Sequence, residues 1–389
     1  MSTVPDWIWI SFIFATGCCI GSFLNVVVYR VPRGKSIVTP PSACPGCGYL
    51  IKFYDNIPLV SWLMLGGKCR KCKMKISARY FVLELLTGLV FVGMFLLYFR
   101  TTVRMSMGDF IADRSWFVYV LHLILISAFI AASAIDLELW IIPIGLCWFV
   151  TAAGMIGSGV GGYVMDYKFV VGNFLLPVAS ANVTAMSAGA VLGLIVSLGL
   201  ISTRILKRSY ADLYQNEDAK QGVGGDDGEN YKHRFEMFLE ILFLLPIIAG
   251  GVGSYLLAHR VEVVGQWWLD VSQVPAVAGF AGSLWGYFIG CGVVWATRIF
   301  GTLAFGKEAM GLGDVHLMGA AGAVIGPVMV VVAFFVAPFF GLAWAAFQMF
   351  FKKTRQIPYG PFLSMGIFSV MILNDMAFRY LVAIFYIGQ

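Results

Sequence analysis

Long apolar runs are the feature of this sequence that most restricts its fold. A helix needs about 20 apolar residues to cross the hydrocarbon core of a bilayer, and such runs recur along the chain. Hydrophobic residues make up 59% of the 389 residues and charged residues 12%, unlike a soluble domain. We therefore expect an all-α polytopic membrane protein, a bundle of about 8 to 10 transmembrane helices. The predicted spans lie near 7–28, 80–99, 116–135, 139–158, 186–204, 236–257, 276–299, 315–332, 334–350 and 362–387.

The distribution of Lys and Arg predicts an orientation, because short basic loops stay in the cytoplasm. Segment 30–79 is the most basic stretch, so we expect it inside and the N-terminus outside. The first run follows Asp6 rather than a basic segment, which favours a retained anchor over a removable signal peptide. The basic residues are otherwise spread over several loops, which argues against a nucleic-acid partner. Alternation of the spans leaves three basic residues outside as exceptions: Arg100, Arg104 and Arg114.

Two carboxylates lie where apolar runs meet water. Asp136 follows the run 116–135, and Asp314 comes after Gly311 and Gly313 and just before another run. The orientation above places both acids at the cytoplasmic face. Two acids brought together can share a proton and supply a general base and a general acid for activating water, as in an aspartic protease. Taken alone, Asp314 could instead cap the following helix, and Asp136 could be a solvated loop acid.

Four cysteines form the strongest chemical motif of the basic segment. Two C-x-x-C pairs, Cys44 with Cys47 and Cys69 with Cys72, are spaced as in structural zinc sites with four thiolate ligands. Disulfides are the alternative, but the cytoplasm is reducing. The segment has few apolar residues, so we expect its fold to depend on zinc. The other cysteines lie in apolar spans and are most simply small core residues: Cys18, Cys19, Cys147 and Cys291.

Three stretches between the spans differ in character. Residues 205–234 are polar and rich in glycine, which predicts a flexible cytoplasmic loop. Residues 159–185 and 258–275 are predicted as outer loops, and Trp267 and Trp268 in the second are expected to anchor at the membrane interface.

Several motifs occur in one order along residues 17–366. They are Gly21 to Pro32, the two C-x-x-C pairs, Asn56-Ile57-Pro58, Gly67 to Arg70, Ile76 to Tyr80, Glu84 to Gly88, Ile135 to Glu138 with Pro143, Lys307 to Asp314, and Pro358 to Phe362. In this combination the chain resembles the prepilin peptidases, the type IV prepilin leader peptidase and N-methyltransferase family of GxGD membrane aspartic proteases. Departures from the family pattern are Ile144, where an acid or amide is usual, and His316, where lysine is usual.

The resemblance implies a function and a domain plan. Asp136 and Asp314 would be the catalytic pair of an endopeptidase in the bacterial inner membrane. Its substrates would be type IV prepilins or type II secretion pseudopilins, which lose a short basic leader at the cytoplasmic face. Many members then methylate the new N-terminus with S-adenosylmethionine, whose site the sequence does not reveal. The plan would be a first transmembrane helix over 1–29, a four-cysteine zinc domain over 30–79 and a membrane protease domain over 80–389.

Further residues near the acids could contribute to the site. Glu138 and Glu308 could tune the pair or bind the basic leader, and Gly311 and Gly313 could let an extended substrate approach Asp314 closely. The basic residues of segment 30–79 more plausibly meet lipid headgroups. The alternative classes are a polytopic transporter with edge carboxylates and a membrane-anchored zinc-ribbon adaptor. The oligomeric state stays open.

Overall fold

The computed structural model describes residues 5–210, 233–351 and 358–377. Within these ranges the regular structure is helical, with two isolated β-bridges as the exception. We number the α-helices in chain order. They are α1 Asp6–Arg30, α2 Val60–Met64, α3 Ala78–Phe99, α4 Trp116–Leu139, α5 Ile144–Val164, α6 Tyr167–Gly172, α7 Ala181–Ser202, α8 His233–Arg260, α9 Glu262–Ser272, α10 Pro275–Phe305, α11 Leu312–Ile325, α12 Pro327–Phe351 and α13 Gly360–Ile372.

Eight of the described helices are long and apolar enough to cross a membrane. They are α1, α3, α4, α5, α7, α8, α10 and α12, and the shorter apolar helices are α11 and α13. The predicted all-α polytopic fold with about 8 to 10 spans is confirmed.

The break between α11 and α12 falls inside one predicted span. The range 315–332 was expected to form a single helix, but α11 ends at Ile325 and α12 begins at Pro327. Gly326 between them has φ +83°, a left-handed conformation that glycine adopts without penalty. Proline then suits the first turn of the next helix, where its missing N–H has no partner to lose.

The predicted outer loop at 258–275 is largely helical, which corrects the sequence-based assignment. α8 extends to Arg260, and α9 occupies Glu262–Ser272. Trp267 on α9 is exposed. The apolar and charged residues of this stretch alternate with helical spacing, a pattern that a search for long apolar runs does not detect.

Contacts divide the chain into two compact units. The first contains residues 1–153, 164–175 and 332–389, and the second contains residues 154–163 and 176–331. Asp136 and the four cysteines of the basic segment belong to the first unit, and Asp314 belongs to the second.

Close helix packing in the first unit depends on small residues. A Cβ at Gly17 of α1 would lie 2.8 Å from the Cα of Gly88 on α3, and one at Gly21 would lie 2.7 Å from the Cα of Glu84. Small residues let membrane helices approach to backbone contact, which replaces the hydrophobic driving force that lipid does not provide. α1, α3 and α4 thereby enclose a buried cluster that includes Leu24, Leu83, Ile135 and their apolar neighbours. This cluster reaches the residue immediately before Asp136.

In the second unit α7 packs on α8 and α10 packs on α11 by the same means. Gly193 of α7 faces the backbone of Pro246, and Gly290 of α10 faces the backbone of Met318. α11 is buried along nearly its whole length, from Asp314 to Val324. Asp314 therefore lies in the first turn of a helix that is enclosed by its unit.

All three basic exceptions to the predicted orientation have partners in the first unit. Arg100 forms a 2.6 Å ion pair with Asp6, and Arg114 donates to the carbonyl of Val164 at 2.8 Å. Arg104 is buried and donates to the Met371 carbonyl at 2.6 Å, at the end of α13. Structural contacts of this kind account for positive charge away from the basic loops.

Candidate active site and metal centre

Asp136 lies in the last turn of α4 and is 5% exposed. The helix stops four residues later at Trp140, whose φ of +58° is left-handed and whose N–H donates to the Asp136 carbonyl at 3.0 Å. Pro143 follows shortly, so the chain cannot continue the helix. The carboxylate is thus held at a helix end yet shielded from solvent.

The side chain of Asp136 meets the N-terminus of α13. The Gly360 N–H donates to its Oδ2 at 3.2 Å. A Cβ at Gly360 would lie 2.5 Å from the same oxygen, closer than real Cβ atoms approach other atoms. Glycine is therefore required at this position by the carboxylate itself, and an amide at a helix N-terminus is a favourable partner for an acid.

Asp314 also accepts an amide at a helix N-terminus. It is the third residue of α11 and is 8% exposed, and its Oδ2 accepts from the Gly311 N–H at 3.3 Å. The expected helix start at Val315 is wrong by a turn, because α11 begins at Leu312. Asp314 thus has the capping role that the sequence allowed. A carboxylate that caps a helix can also take part in catalysis.

Gly311, the first of the two glycines before Asp314, has room around it for a side chain. Gly311 has φ −76° and ψ 151°, an extended conformation open to any residue. A Cβ there would lie 3.5 Å from the Asp314 Oδ2, an ordinary contact. Gly313 lies inside the first turn of α11. Neither the backbone conformation of Gly311 nor the atoms of its own unit therefore require glycine at this position.

Both glutamates singled out from the sequence have an arginine partner within their own unit. Glu138 forms an ion pair with Arg79 of α3, and its side chain is 39% exposed. Glu308 forms a 2.5 Å ion pair with Arg298, and its side chain is 42% exposed. Each keeps a solvent-facing part that a further cation could reach.

The four predicted cysteine ligands come together in the first unit. Their sulfurs all lie within 4.8 Å of one another. The Sγ atoms of Cys44 and Cys72 are 3.7 Å apart, and those of Cys47 and Cys69 are 4.0 Å apart. A tetrahedral zinc with Zn–S bonds of about 2.3 Å needs sulfurs about 3.8 Å apart. The quartet therefore has the composition and size of a structural zinc site.

The two C-x-x-C pairs form matching turns. In the first, the N–H of Cys44 donates to the Tyr49 carbonyl at 2.9 Å, and in the second the N–H of Cys69 donates to the Met74 carbonyl at 2.8 Å. The residue after each pair is left-handed, Gly48 with φ +65° and Lys73 with φ +59°. Equivalent turns present two sulfurs each, which explains how a short segment without a large core can form a site.

The thiols differ in acidity. The amides of Cys72 and Lys71 hold the pKa of Cys69 down at about 6. At Cys72 the Met74 amide lowers the pKa, but the neighbouring sulfurs, Cys47 first, raise it to about 11. The negative charge of one thiolate therefore disfavours ionisation of the next. A divalent cation that binds the thiolates would remove this repulsion.

Three buried or contacting residues were not predicted from the sequence: Gly360, which contacts Asp136, and Glu240 and Arg298, which pair with each other in the second unit. Gly360 was noted only as part of a motif, and its contact with Asp136 depends on tertiary structure. Glu240 and Arg298 carried a signal that could have been used, because each is a charge inside an apolar run, and such charges usually pair with one another. They form a buried ion pair at 3.0 Å.

Together these features define a class: a polytopic membrane protein with four clustered thiols that could hold a metal ion and two buried carboxylates at helix ends. Comparison with known proteins identifies the family within that class. Residues 15–98 match the bacterial peptidase A24 N-terminal domain, and residues 240–346 match the type IV leader peptidase family. The first range contains the cysteine quartet and the second contains Asp314, while Asp136 lies between them.

Individual relatives agree with these matches. A prepilin leader peptidase/N-methyltransferase of Klebsiella pneumoniae is 34% identical over 172 residues, which cover 43% of this chain and 69% of the relative. Relatives of that name from Myxococcus xanthus and Aeromonas salmonicida are 42% identical over 147 residues and 31% identical over 191 residues. Those matches cover 38% and 43% of this chain and 38% and 60% of the relatives' lengths. No solved structure matches the chain significantly. The chain belongs to the prepilin leader peptidase family.

Proposed function

We propose that the protein is a membrane-embedded aspartic endopeptidase that uses Asp136 and Asp314 as its two catalytic carboxylates. The observation that carries the proposal is the equivalent setting of the acids: each is buried at a helix end and accepts a glycine amide. An acid at a membrane edge is costly unless it is used or paired. Two acids in equivalent settings at helix ends suit the roles of general base and general acid.

In this mechanism one carboxylate accepts a proton from the attacking water while the other, protonated, donates to the carbonyl oxygen of the scissile peptide. The amides of Gly360 and Gly311 fix the orientation of one oxygen on each acid. Burial keeps bulk water from competing for the carboxylates.

We propose prepilins or type II secretion pseudopilins as substrates, cleaved at the cytoplasmic face of the bacterial inner membrane. Supporting this are the names of the relatives, prepilin leader peptidase/N-methyltransferase. A prepilin offers an apolar helix that the bilayer accommodates and a short basic leader outside it. The exposed parts of Glu138 and Glu308 suit contact with that leader, and Gly311 leaves room for an extended backbone beside Asp314.

Zinc bound by Cys44, Cys47, Cys69 and Cys72 would have a structural role. When bound, it would neutralise the thiolates and cross-link the two turns. The Asp55 carboxylate and Arg70, which lies between the second pair of cysteines, form a 2.6 Å ion pair that supports the same loop. The basic side chains of this segment would face anionic lipid headgroups.

The relatives' names also include N-methyltransferase, so we propose S-adenosylmethionine-dependent methylation of the new N-terminus as a second activity.

The purified chain in detergent micelles, incubated with a prepilin and S-adenosylmethionine, tests both proposals. Mass spectrometry should show a shortened pilin whose new N-terminus is heavier by one methyl group. A transporter or a zinc-ribbon adaptor would leave the prepilin intact. A shortened but unmethylated product would retain the protease and reject the methyltransferase.

A further inference from the structure

Arg298 of α10 is a buried cation next to the loop that leads to Asp314. Its side chain is 1% exposed and lies in a span, where a lone charge is expensive. Its Nε donates to both carboxylate oxygens of Glu240 on α8, at 3.0 and 3.1 Å. The ring of Tyr210 stacks at 5.2 Å from the guanidinium. Arg298 is thereby fixed to the framework of the second unit.

The partner Glu240 is itself held from several sides. Trp295, one turn before Arg298 on α10, donates its Nε1–H to Glu240 at 2.8 Å. Ser209 donates its hydroxyl to the same carboxylate at 3.1 Å. Glu240 is 3% exposed. These bonds leave the carboxylate little freedom, so it defines where the arginine lies.

The other end of the guanidinium donates hydrogen bonds to the loop between α10 and α11. The Nη1 of Arg298 donates to the Glu308 carboxylate at 2.5 Å and also to the main-chain carbonyl of Met310. Met310 is followed by Gly311, whose N–H donates to the Asp314 carboxylate. A chain of direct contacts thus leads from the buried Glu240 to Asp314 through a single arginine.

A second contact closes the same loop. The Thr302 hydroxyl accepts from the Ala309 N–H at 3.1 Å, and Thr302 is fully buried. α10 ends at Phe305, and the next residue, Gly306, has a φ of +70°. The loop from Gly306 to Gly311 is therefore tied back to α10 by three bonds, two from Arg298 and one to Thr302. The bond from Arg298 to the Met310 carbonyl lies next to the glycine that contacts Asp314.

Stability alone does not require this arrangement. A buried ion pair replaced by well-packed apolar residues is often no less stable, because desolvation of the charges offsets their attraction. A planar guanidinium, however, can bind a carboxylate on one edge and a carbonyl on another in fixed geometry, which an apolar side chain and a lysine cannot do.

We propose that Arg298 is a positioning residue that holds the loop 306–311, and through it the Asp314 carboxylate, in the orientation needed for peptide cleavage. Glu240 fixes Arg298, and Glu308 completes the grip on the loop. The proposal rests on the proposed catalytic role of Asp314. It assigns to Glu308 a task within the protein in addition to any contact with the leader.

Two measurements on the full chain in detergent micelles test the proposal. The first is hydrogen exchange of the amides in 306–313, which needs no activity. The variants are Arg298→Lys and Glu308→Gln, and the matched control is Thr297→Val. Thr297 is on the same helix, and among the described residues its hydroxyl donates to the Val293 carbonyl of that helix. We expect loop exchange at least about tenfold faster in both test variants and unchanged in the control.

The second measurement is the kinetics of prepilin cleavage. A misplacement of about 1 Å costs about 10²-fold in rate, so kcat of Arg298→Lys should fall by about that factor while KM stays within about twofold. If Arg298→Lys does not fold, Glu308→Gln carries the test, since its side chain is 42% exposed. In Arg298→Lys, loop exchange at the wild-type rate, or a raised KM with unchanged kcat, would overturn the positioning role. In Glu308→Gln, whose KM a leader contact also affects, loop exchange at the wild-type rate would overturn it. If the wild-type chain cleaves no prepilin, the proposed function fails while the exchange experiment still reports on the grip.

Discussion

Gly360→Ala is the substitution that tests the setting of Asp136 most sharply. The added Cβ would lie 2.5 Å from the Asp136 Oδ2 and 3.3 Å from its Cγ. Real Cβ atoms essentially never lie closer than 3.0 Å to another atom, and ordinary contacts begin at 3.4 Å, so the carboxylate and the start of α13 must separate by about 0.5 to 0.9 Å. The change adds one methyl group, yet it falls on the carboxylate proposed to take part in catalysis.

The expected cost follows from that displacement. A misplacement near 1 Å lowers a catalysed rate by about 10²-fold, which is about 2.7 kcal/mol of activation free energy. The 3.2 Å bond from the Gly360 N–H to Asp136 is lengthened or lost at the same time. Folding should change little, because alanine has a higher helix propensity than glycine. We therefore expect kcat to fall about 10²-fold with a nearly unchanged thermal transition.

The assay is single-turnover cleavage of a prepilin by the purified chain in micelles, with thermal unfolding measured in parallel. Gly93→Ala is the matched control, since Gly93 lies in α3 of the same unit and a Cβ there would meet no atom within 4 Å. Cleavage by Gly360→Ala within about threefold of wild type would refute the argument. Equal loss in the control would show that the assay reports helix packing in general.

Three further predictions concern the metal loop and Asp314. Cys69→Ser should release about one zinc per chain, measured by elemental analysis, because three thiolates cannot complete the site; wild-type protein purified without chelators and free of zinc would contradict this. Gly48→Lys should weaken zinc retention against a chelator by about 1 kcal/mol, because Gly48 has a left-handed φ at which a Cβ is unfavourable. Lys73→Gly removes a Cβ from the equivalent position and should not weaken retention; equal loss in both variants would contradict the matching of the two turns. Gly311→Ala should fold as wild type, given the ordinary 3.5 Å contact of its Cβ, but lose cleavage rate through obstruction of the substrate; an unchanged rate would remove Gly311 from the substrate path.

The sequence was sufficient for the features that depend on local pattern. Apolar runs of span length gave the helices, and the C-x-x-C spacing gave the cysteine quartet, because both are set by residues near one another or by ligand chemistry. The helix break at Gly326 was missed because the apolar character continues across it. The amphipathic α9 was missed because an interrupted apolar pattern resembles a loop when only continuous runs are sought.

The surroundings of the acids depended on tertiary structure. Gly360 lies 224 residues after Asp136, and a single sequence contains no information that links them. The ion pair of Glu240 and Arg298 was accessible in principle, since charges inside spans seek partners, but the choice of partner requires the packing of α8 on α10. The basic exceptions at Arg100, Arg104 and Arg114 show the same limit, since a count of charges does not distinguish a structural arginine from one that sets orientation.

The proposed function requires that Asp136 and Asp314 together perform peptide cleavage. The most direct measurement compares prepilin cleavage by wild type, Asp136→Asn and Asp314→Asn, each purified in micelles and shown to be folded by its thermal transition. Asparagine keeps the size of the side chain and removes the proton that the pair must exchange. We predict that each variant loses at least about 10³-fold in cleavage rate while its thermal transition stays close to that of wild type. Residual cleavage within about tenfold of wild type in either variant would contradict the assignment of that acid.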